Sequence, residues 1–275
     1  MNKYIKLREQ MEQFAAADVV VAFSGGVDSS LLLKMACEAA EKTRKKVYAA
    51  VVYTMLHPAG ELEAAKEAAA KMGAEPCALY IDELKEAGIE NNPEDRCYRC
   101  KKYLFQKVRE LASEKGTSVI LEGTNEDDLH VYRPGIRAVR ELKIYSPLAD
   151  AGISKEEVRA LAGEYGLEAS SKPSMPCLAT RFPYGARLTY DKLHQADQGE
   201  IFLRNLGFKN VRIRVYGDLV RLEIDKEEMG GLIAQKEKII EYLKKLGYSY
   251  ITLDLEGFRS GSMDIHINQE KEGRK

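Results

Sequence analysis

No apolar run in the 275-residue chain approaches the ~20 residues that a membrane-spanning helix requires. The stretch 1–13 is charged and lacks an apolar core ahead of a cleavage site, which predicts no signal peptide and a cytoplasmic protein. Neither sign of charge is in excess. Lys+Arg 42 against Asp+Glu 43 leaves a net charge of −1, which argues against a protein that grips nucleic acid through a broadly basic surface. Cysteines number only 5, an odd count in a chain without an export signal, so reduced thiols are expected in place of a disulfide framework. The 4 histidines are scattered, and none pairs with a nucleophile in a recognisable pattern. No internal repeat is visible. What is present is a 45% hydrophobic composition, enough to bury a core in one large domain or in a medium domain plus a small one.

The first half alternates strand-like and helix-like patterns. Val19–Phe23 is a short β-rich run that meets Ser24-Gly25-Gly26, and residues 29–41 carry apolar side chains at helical spacing. A second buried-type strand is expected over Val47–Tyr53, an Ala/Glu/Lys helix over 60–72, a third strand over 77–81 and a helix over 100–114. A fourth strand, Val119–Leu121, runs into Glu122-Gly123-Thr124-Asn125. This order predicts an α/β fold with a doubly wound parallel sheet, whose ligands bind at the carboxyl ends of the strands. Ser154, with Glu157 three residues on, predicts a capped helix ending at Gly166. Residues 170–185 hold three prolines and read as a linker or active-site loop. Beyond it a helix over 191–206, two period-2 strands at 211–215 and 219–224 joined by Gly217-Asp218, a long helix over 226–246 and a strand over 250–255 predict a small C-terminal α+β domain. The expected division is 1–170, a loop 171–188, the small domain 189–267 and a frayed tail 268–275.

The string Ser24-Gly25-Gly26-Val27-Asp28-Ser29 sits between a strand and a helix. Its glycines let backbone N–H groups converge on an anion, the helix N-terminus adds its dipole, and Asp28 is suited to a divalent cation bridging phosphates. It is not a Walker A loop, because no Gly-Lys-Ser/Thr follows. Cys97-Tyr98-Arg99-Cys100 is a CxxC, and Cys177 adds a third thiol in the proline-rich segment. Three thiols suit three irons of a four-iron cluster, a redox dithiol, or a zinc site with one further ligand, and the residues alone leave these open. Cys37 and Cys77 read as buried core. Arg212, Arg214 and Arg221 alternate along the C-terminal hairpin, either as a solvated outer face or as a pocket for phosphate and carboxylate. Asn125, Asp127, Asp128 and 132–135 form a polar loop after the fourth strand, where ligand contacts are expected.

The SGGxDS string resembles the PP-loop of the adenine nucleotide alpha hydrolase superfamily, whose members bind ATP and expel pyrophosphate. That resemblance implies pyrophosphate and Mg2+ contacts at Ser24, Gly25, Gly26, Asp28 and Ser29, with adenine and ribose near 52–54, including Thr54, and Gly123-Thr124. Together, SGGVDSS, LEGTNEDD, YRPGIRA, CLATRFPYGARLT, LGFKNVRIRV and LDLEGFRSG resemble one family over nearly the whole chain: LarE, the ATP-dependent sulfur transferases of nickel-pincer nucleotide biosynthesis. Membership implies an N-terminal ATP pyrophosphatase domain and a C-terminal oligomerisation domain, hence a homo-oligomer. It also implies adenylation of a pyridinium mononucleotide carboxylate and displacement of AMP by sulfur. Some members sacrifice one cysteine; CYRC resembles the other branch, in which Cys97, Cys100 and Cys177 hold a [4Fe-4S] cluster, fed by sulfide or a sulfur-donor protein. Catalytic roles fall on Cys177 and Asp28, and substrate contacts on Arg181, Arg212, Arg214 and Arg259. A divalent-cation set falls on Glu200 and Glu223, although Gly230-Gly231 occupies a place where a further acidic ligand is expected. The rivals are a tRNA thiolase of the same superfamily, disfavoured by the charge balance, and a non-catalytic nucleotide-binding module with zinc.

Overall fold

The computed structural model describes residues 2–54, 56, 61–131, 133–171, 176–259 and 261–263. Gly60, Tyr132, residues 172–175, Ser260 and the tail 268–275, all named above, lie outside the described residues. The chain divides into two compact units, 1–89 with 95–175, and 90–94 with 176–275. The expected loop 171–188 is therefore no separate body: from Pro176 it belongs to the second unit, together with a five-residue excursion, Glu90–Glu94, taken from the middle of the first.

The first unit runs α1 (Lys3–Phe14), β1 (Val19–Phe23), α2 (Val27–Thr43), β2 (Val47–Tyr53), α3 (Glu61–Lys71), β3 (Glu75–Tyr80), α4 (Glu83–Glu86), α5 (Arg96–Glu114), β4 (Val119–Leu121), α6 (Gly135–Glu141), α7 (Pro147–Asp150) and α8 (Lys155–Glu164). Its strands are all parallel, in the order β3-β2-β1-β4. Continuous apolar strands such as VVVAF and VYAAV suit a sheet covered on both faces. One face is packed by α1, α2 and α8 through Leu7, Met11, Leu31, Leu32 and Val158, and the other by α5 and α6 through Phe105, Val108 and Val139. The chain order reverses between β1 and β4. That reversal opens a crevice at their carboxyl ends, where the PP-loop and Gly123 both lie. The Ser154 capping box at the start of α8 forms as expected.

The second unit holds α9 (Tyr190–Asn205), β5 (Val211–Tyr216), β6 (Leu219–Ile224), α10 (Met229–Ala234), α11 (Lys236–Lys245) and β7 (Tyr250–Leu253). The β5–β6 hairpin is antiparallel and β7 joins β6 in parallel. Val211, Ile213, Val215, Val220, Leu222 and Ile224 are buried on one sheet face. Gly199 of α9 lies so close to Ile213 that a Cβ would stand 2.4 Å from its Cδ1, and would crowd Leu243 at 3.2 Å. Phe202 of α9 stacks on Tyr242 of α11 at 3.9 Å. The single long helix expected over 226–246 is instead a short 3-10 turn followed by two helices that break at Gln235.

Candidate active site

The end of β1 delivers Ser24, Gly25 and Gly26 into a tight turn. Gly25 has φ +72°, a conformation L side chains rarely adopt. Ser29 Oγ donates to the Gly26 carbonyl at 3.1 Å and lies 3.2 Å from Ser24 Oγ, so the two hydroxyls brace the loop from within. Gly26 caps α2 without a side chain, leaving the first N–H groups of a 17-residue helix free of side-chain acceptors. Such a terminus offers convergent donors and a positive dipole to an anion.

Asp28, in the first turn of α2, faces two cross-chain partners. Its Oδ1 accepts from Asn125 Nδ2 at 2.9 Å, and its Oδ2 pairs with Lys155 Nζ. Neither partner was singled out for this contact by sequence reasoning. Lys155 follows the N-cap Ser154, and its spacing announces only a helix start; parallel pairing brings it back over the loop. Gly123 approaches the same turn from β4: a Cβ there would lie 3.1 Å from Asp28 Cβ and 3.1 Å from Ser29 N. Gly123→Val is expected to displace the PP-loop and slow pyrophosphate release about 100-fold, read by coupled pyrophosphate detection; a rate within about twofold of wild type would contradict this.

Thr54, at the end of β2, is buried and accepts from Leu56 N at 2.9 Å. Its hydroxyl also bonds Glu83, a carboxyl only 1% exposed at the start of α4, whose Oε2 has no partner among the described residues. Burial pushes Glu83 up to about 7. Because its proton is held more tightly folded than unfolded, stability is greatest below the ordinary value of 4.5 and declines as pH rises towards about 7. Thermal melts across that range should show the decline in wild type and not in Glu83→Gln; parallel curves would refute it.

The CYRC segment lies inside α5, not ahead of it: Arg96 opens the helix, so Cys97 lies in its first turn and Cys100 one turn further on. Cys97 is exposed and Cys100 half-buried. Lys101 reaches the buried Glu122 at 3.0 Å, tying this helix to the end of β4. Burial resists ionisation of Glu122, but Lys101 and the Ser146 and Thr124 bonds outweigh it and hold the carboxyl below its ordinary value. Tyr98 donates to Glu141 of α6 at 2.7 Å, which also accepts from Arg137 at 2.8 Å. Gly135 opens α6 so close to Lys101 that a Cβ would lie 2.9 Å from its side chain. Cys37 is buried, and burial pushes its thiol up to about 11, so it is not a reactive thiolate.

The second unit holds Cys177 and the arginines. Cys177 precedes a 3-10 turn, Leu178–Arg181. Arg181 is 2% exposed and its donors are committed: Nε and Nη2 to the two Glu200 oxygens at 2.8 and 2.7 Å, and Nη1 to Pro176 O, Cys177 O and Thr180 Oγ1. It is thus a brace for the Cys177 backbone, not the open substrate contact expected from the sequence. Glu200 also accepts from Ile213 N at 3.1 Å and from Arg204 at 3.3 Å. Glu223, fully buried, takes Arg214 at 2.9 Å, Arg221 at 2.9 Å and Ser262 at 2.8 Å. Both carboxylates are engaged by guanidinium groups, so the expected divalent-cation set gives way to ion pairs. Among the described residues, no three His, Cys, Asp or Glu side chains are grouped to hold a metal ion. Arg259 pairs with Asp254 and Glu256.

Arg212 differs from its neighbours. Its guanidinium donates to the adjacent Val211 carbonyl at 2.7 Å and lies 5.2 Å from the Phe258 ring, with no carboxylate in ion-pair range among the described residues. Burial lowers it to about 10; Glu200 partly opposes this, while Arg181, Arg214 and Arg204 add repulsion. A half-buried cation among cations is the kind of group that an anionic ligand suits.

A PP-loop domain model matches residues 1–131. The chain is 38% identical over 246 residues to pyridinium-3,5-bisthiocarboxylic acid mononucleotide synthase of Lactiplantibacillus plantarum, covering 90% of this chain and 88% of that protein. The chain belongs to the LarE family. Uncharacterised proteins of Synechocystis, at 37% identity over 94% of this chain and 97% of theirs, and of Methanocaldococcus jannaschii, at 33% over 94% and 98%, are further relatives. The LarE relationship and the PP-loop make the protein an ATP-dependent, sulfur-transferring enzyme. No helix among the described residues is long and apolar enough to cross a membrane.

Proposed function

We propose that this LarE-family enzyme adenylates a carboxylate of a pyridinium mononucleotide and exchanges the AMP for sulfur, leaving a thiocarboxylate. Arg212 is the observation that carries the substrate assignment: a half-buried guanidinium without a carboxylate partner, on a face crowded with arginine, suits a small ligand bearing phosphate and carboxylate groups. A polyanion would need a broadly basic surface, which the net charge of −1 does not supply. Arg212→Ala is expected to raise KM for the mononucleotide about tenfold with little change in KM for ATP.

In the first step the substrate carboxylate oxygen attacks the α-phosphorus of ATP and pyrophosphate leaves. The free N–H groups of α2 and the Ser24 and Ser29 hydroxyls receive the β- and γ-phosphates, and Lys155 adds positive charge. Mg2+ would be held between Asp28 and the phosphates, neutralising charge as pyrophosphate departs. In the second step a sulfur nucleophile attacks the acyl carbon and AMP leaves. Cys97, Cys100 and Cys177 would hold a [4Fe-4S] cluster, whose fourth iron, free of protein thiolate, would supply a binding site for sulfide. The three side chains are soft donors of the type such a cluster takes: Cys97 in the first turn of α5, Cys100 one turn further on, and Cys177 ahead of a braced turn in the second unit. We further propose that the second unit joins copies of the chain into a homo-oligomer.

Pyrophosphate release and thiocarboxylate formation, measured together, test this reading. Cys97→Ala, Cys100→Ala and Cys177→Ala should each abolish the thiocarboxylate while ATP and the mononucleotide still yield pyrophosphate. Thiocarboxylate from all three variants would defeat the three-thiol assignment, and turnover of tRNA in place of the mononucleotide would defeat the substrate assignment.

A further inference from the structure

The string Arg133-Pro134-Gly135, in the polar loop after β4, takes no part in the steps above. Its backbone is pinned. Arg133 O accepts from Ile136 N at 3.0 Å in the turn that opens α6, and Pro134 fixes the chain there. Gly135 fits against Lys101, where a Cβ would lie 2.9 Å from the side chain. The Arg133 side chain stands outside that packing. It is 57% exposed, and its Nη2 pairs with Asp128 Oδ1 at 2.8 Å, which leaves most of the guanidinium open to solvent. Asp128, only 13% exposed, is joined to the phosphate loop through one residue. Its Oδ2 accepts from Asn125 N at 3.3 Å, and its N–H donates to Asn125 Oδ1 at 3.2 Å. The buried Asn125 carboxamide in turn donates to Asp28 Oδ1 at 2.9 Å. Burial pushes the Asp128 carboxyl above its ordinary value and Arg133 opposes this, while Asp28 and Lys155 are close enough for their charges to act on it too. Two cations therefore flank the loop, each held by a carboxylate: Lys155 by Asp28 and Arg133 by Asp128.

We propose that Arg133 is a phosphate-binding residue of the ATP site, whose guanidinium leaves Asp128 for the β- and γ-phosphates and returns to it when pyrophosphate departs. The proposal rests on the PP-loop reading of the nucleotide site. A guanidinium fork matches phosphate oxygens as it matches a carboxylate, so one side chain serves both partners in turn. The triphosphate carries more negative charge than Asp128 and takes the guanidinium while it is bound. Asp128 competes for the same group and so limits how tightly the product is held. A pair that served only to shape the loop would leave pyrophosphate affinity indifferent to the charge on either side chain.

The test is calorimetric titration of the full-length protein with inorganic pyrophosphate, ATP and AMP, each in the presence of Mg2+. Wild type should bind all three. Arg133→Ala should weaken pyrophosphate and ATP about tenfold and leave AMP, which lacks the β- and γ-phosphates, within about twofold. Asp128→Asn keeps an acceptor for Asn125 N and removes the charge that competes for Arg133, so it should tighten pyrophosphate about threefold. Pyrophosphate affinity unchanged in Arg133→Ala, or AMP weakened as much as ATP, would overturn the assignment of Arg133. Pyrophosphate affinity unchanged or weaker in Asp128→Asn would overturn the exchange of partners. A wild-type protein that binds AMP but neither pyrophosphate nor ATP would overturn the PP-loop reading itself, and the proposal with it. If Arg133→Ala lowers the melting temperature, Arg133→Gln, which keeps the apolar stem and loses the charge, decides between the same outcomes.

Discussion

Glu200→Ala is expected to lower the melting temperature by about 10 °C, corresponding to roughly 3–5 kcal/mol. The Glu200 carboxylate, 1% exposed, takes both forks of Arg181 as well as Ile213 N and Arg204. Its removal leaves a guanidinium with 2% exposure facing no counter-charge, and that uncompensated buried charge is the dominant loss. Burial resists ionisation of Glu200, but the Arg181 bonds and charge outweigh it and hold the carboxyl below its ordinary value. Its stabilisation is therefore present above the unfolded value near 4.5 and lost as pH falls through the lower folded one. Arg181 also grips Pro176 O and Cys177 O, so the variant should lose Cys177-dependent thiocarboxylate formation in whatever fraction remains folded. Calorimetry showing a loss below about 1 kcal/mol would mean that the pair is not a structural brace.

Asp28→Asn should slow pyrophosphate release about 10²–10³-fold while shifting the melting temperature little. The substitution preserves shape and removes the charge that pairs with Lys155 and that would hold Mg2+ against the phosphates. Asp28 is partly solvent-accessible, so no deeply buried charge is orphaned. Raising Mg2+ should recover part of the rate if the carboxylate contributes by holding the cation. A loss of about threefold or less would reduce Asp28 to a favourable residue in the first turn of α2.

The nucleotide side of this site was legible because its signals are contiguous. A strand, two glycines and a helix start within eleven residues specify the PP-loop geometry with no help from distant chain. The contacts of Asn125 and Lys155 with Asp28 are not legible in the sequence because they depend on how parallel strands return, 97 and 127 residues away respectively. The arginine face was misread in part for a similar reason. Alternation on β5 gives the correct apolar face, but it does not say that Glu200 and Glu223 would neutralise Arg181 and Arg214, or that Arg212 would be left over. The helix expected over 100–114 starts short of most of CYRC because Cys and Tyr are weak helix formers, whereas the contacts of Tyr98 with Glu141 and Lys101 with Glu122 support a helix that begins at Arg96. The helix α1 gave little signal, since it buries only Leu7 and Met11.

The central claim is that sulfur reaches the acyl-adenylate without consuming the polypeptide. It is tested most directly by the intact mass of the protein before and after turnover with ATP, the pyridinium mononucleotide and a sulfide supply. The account predicts an unchanged polypeptide mass with several thiocarboxylates formed per chain. One thiocarboxylate per chain, with one sulfur lost from a cysteine, would contradict it.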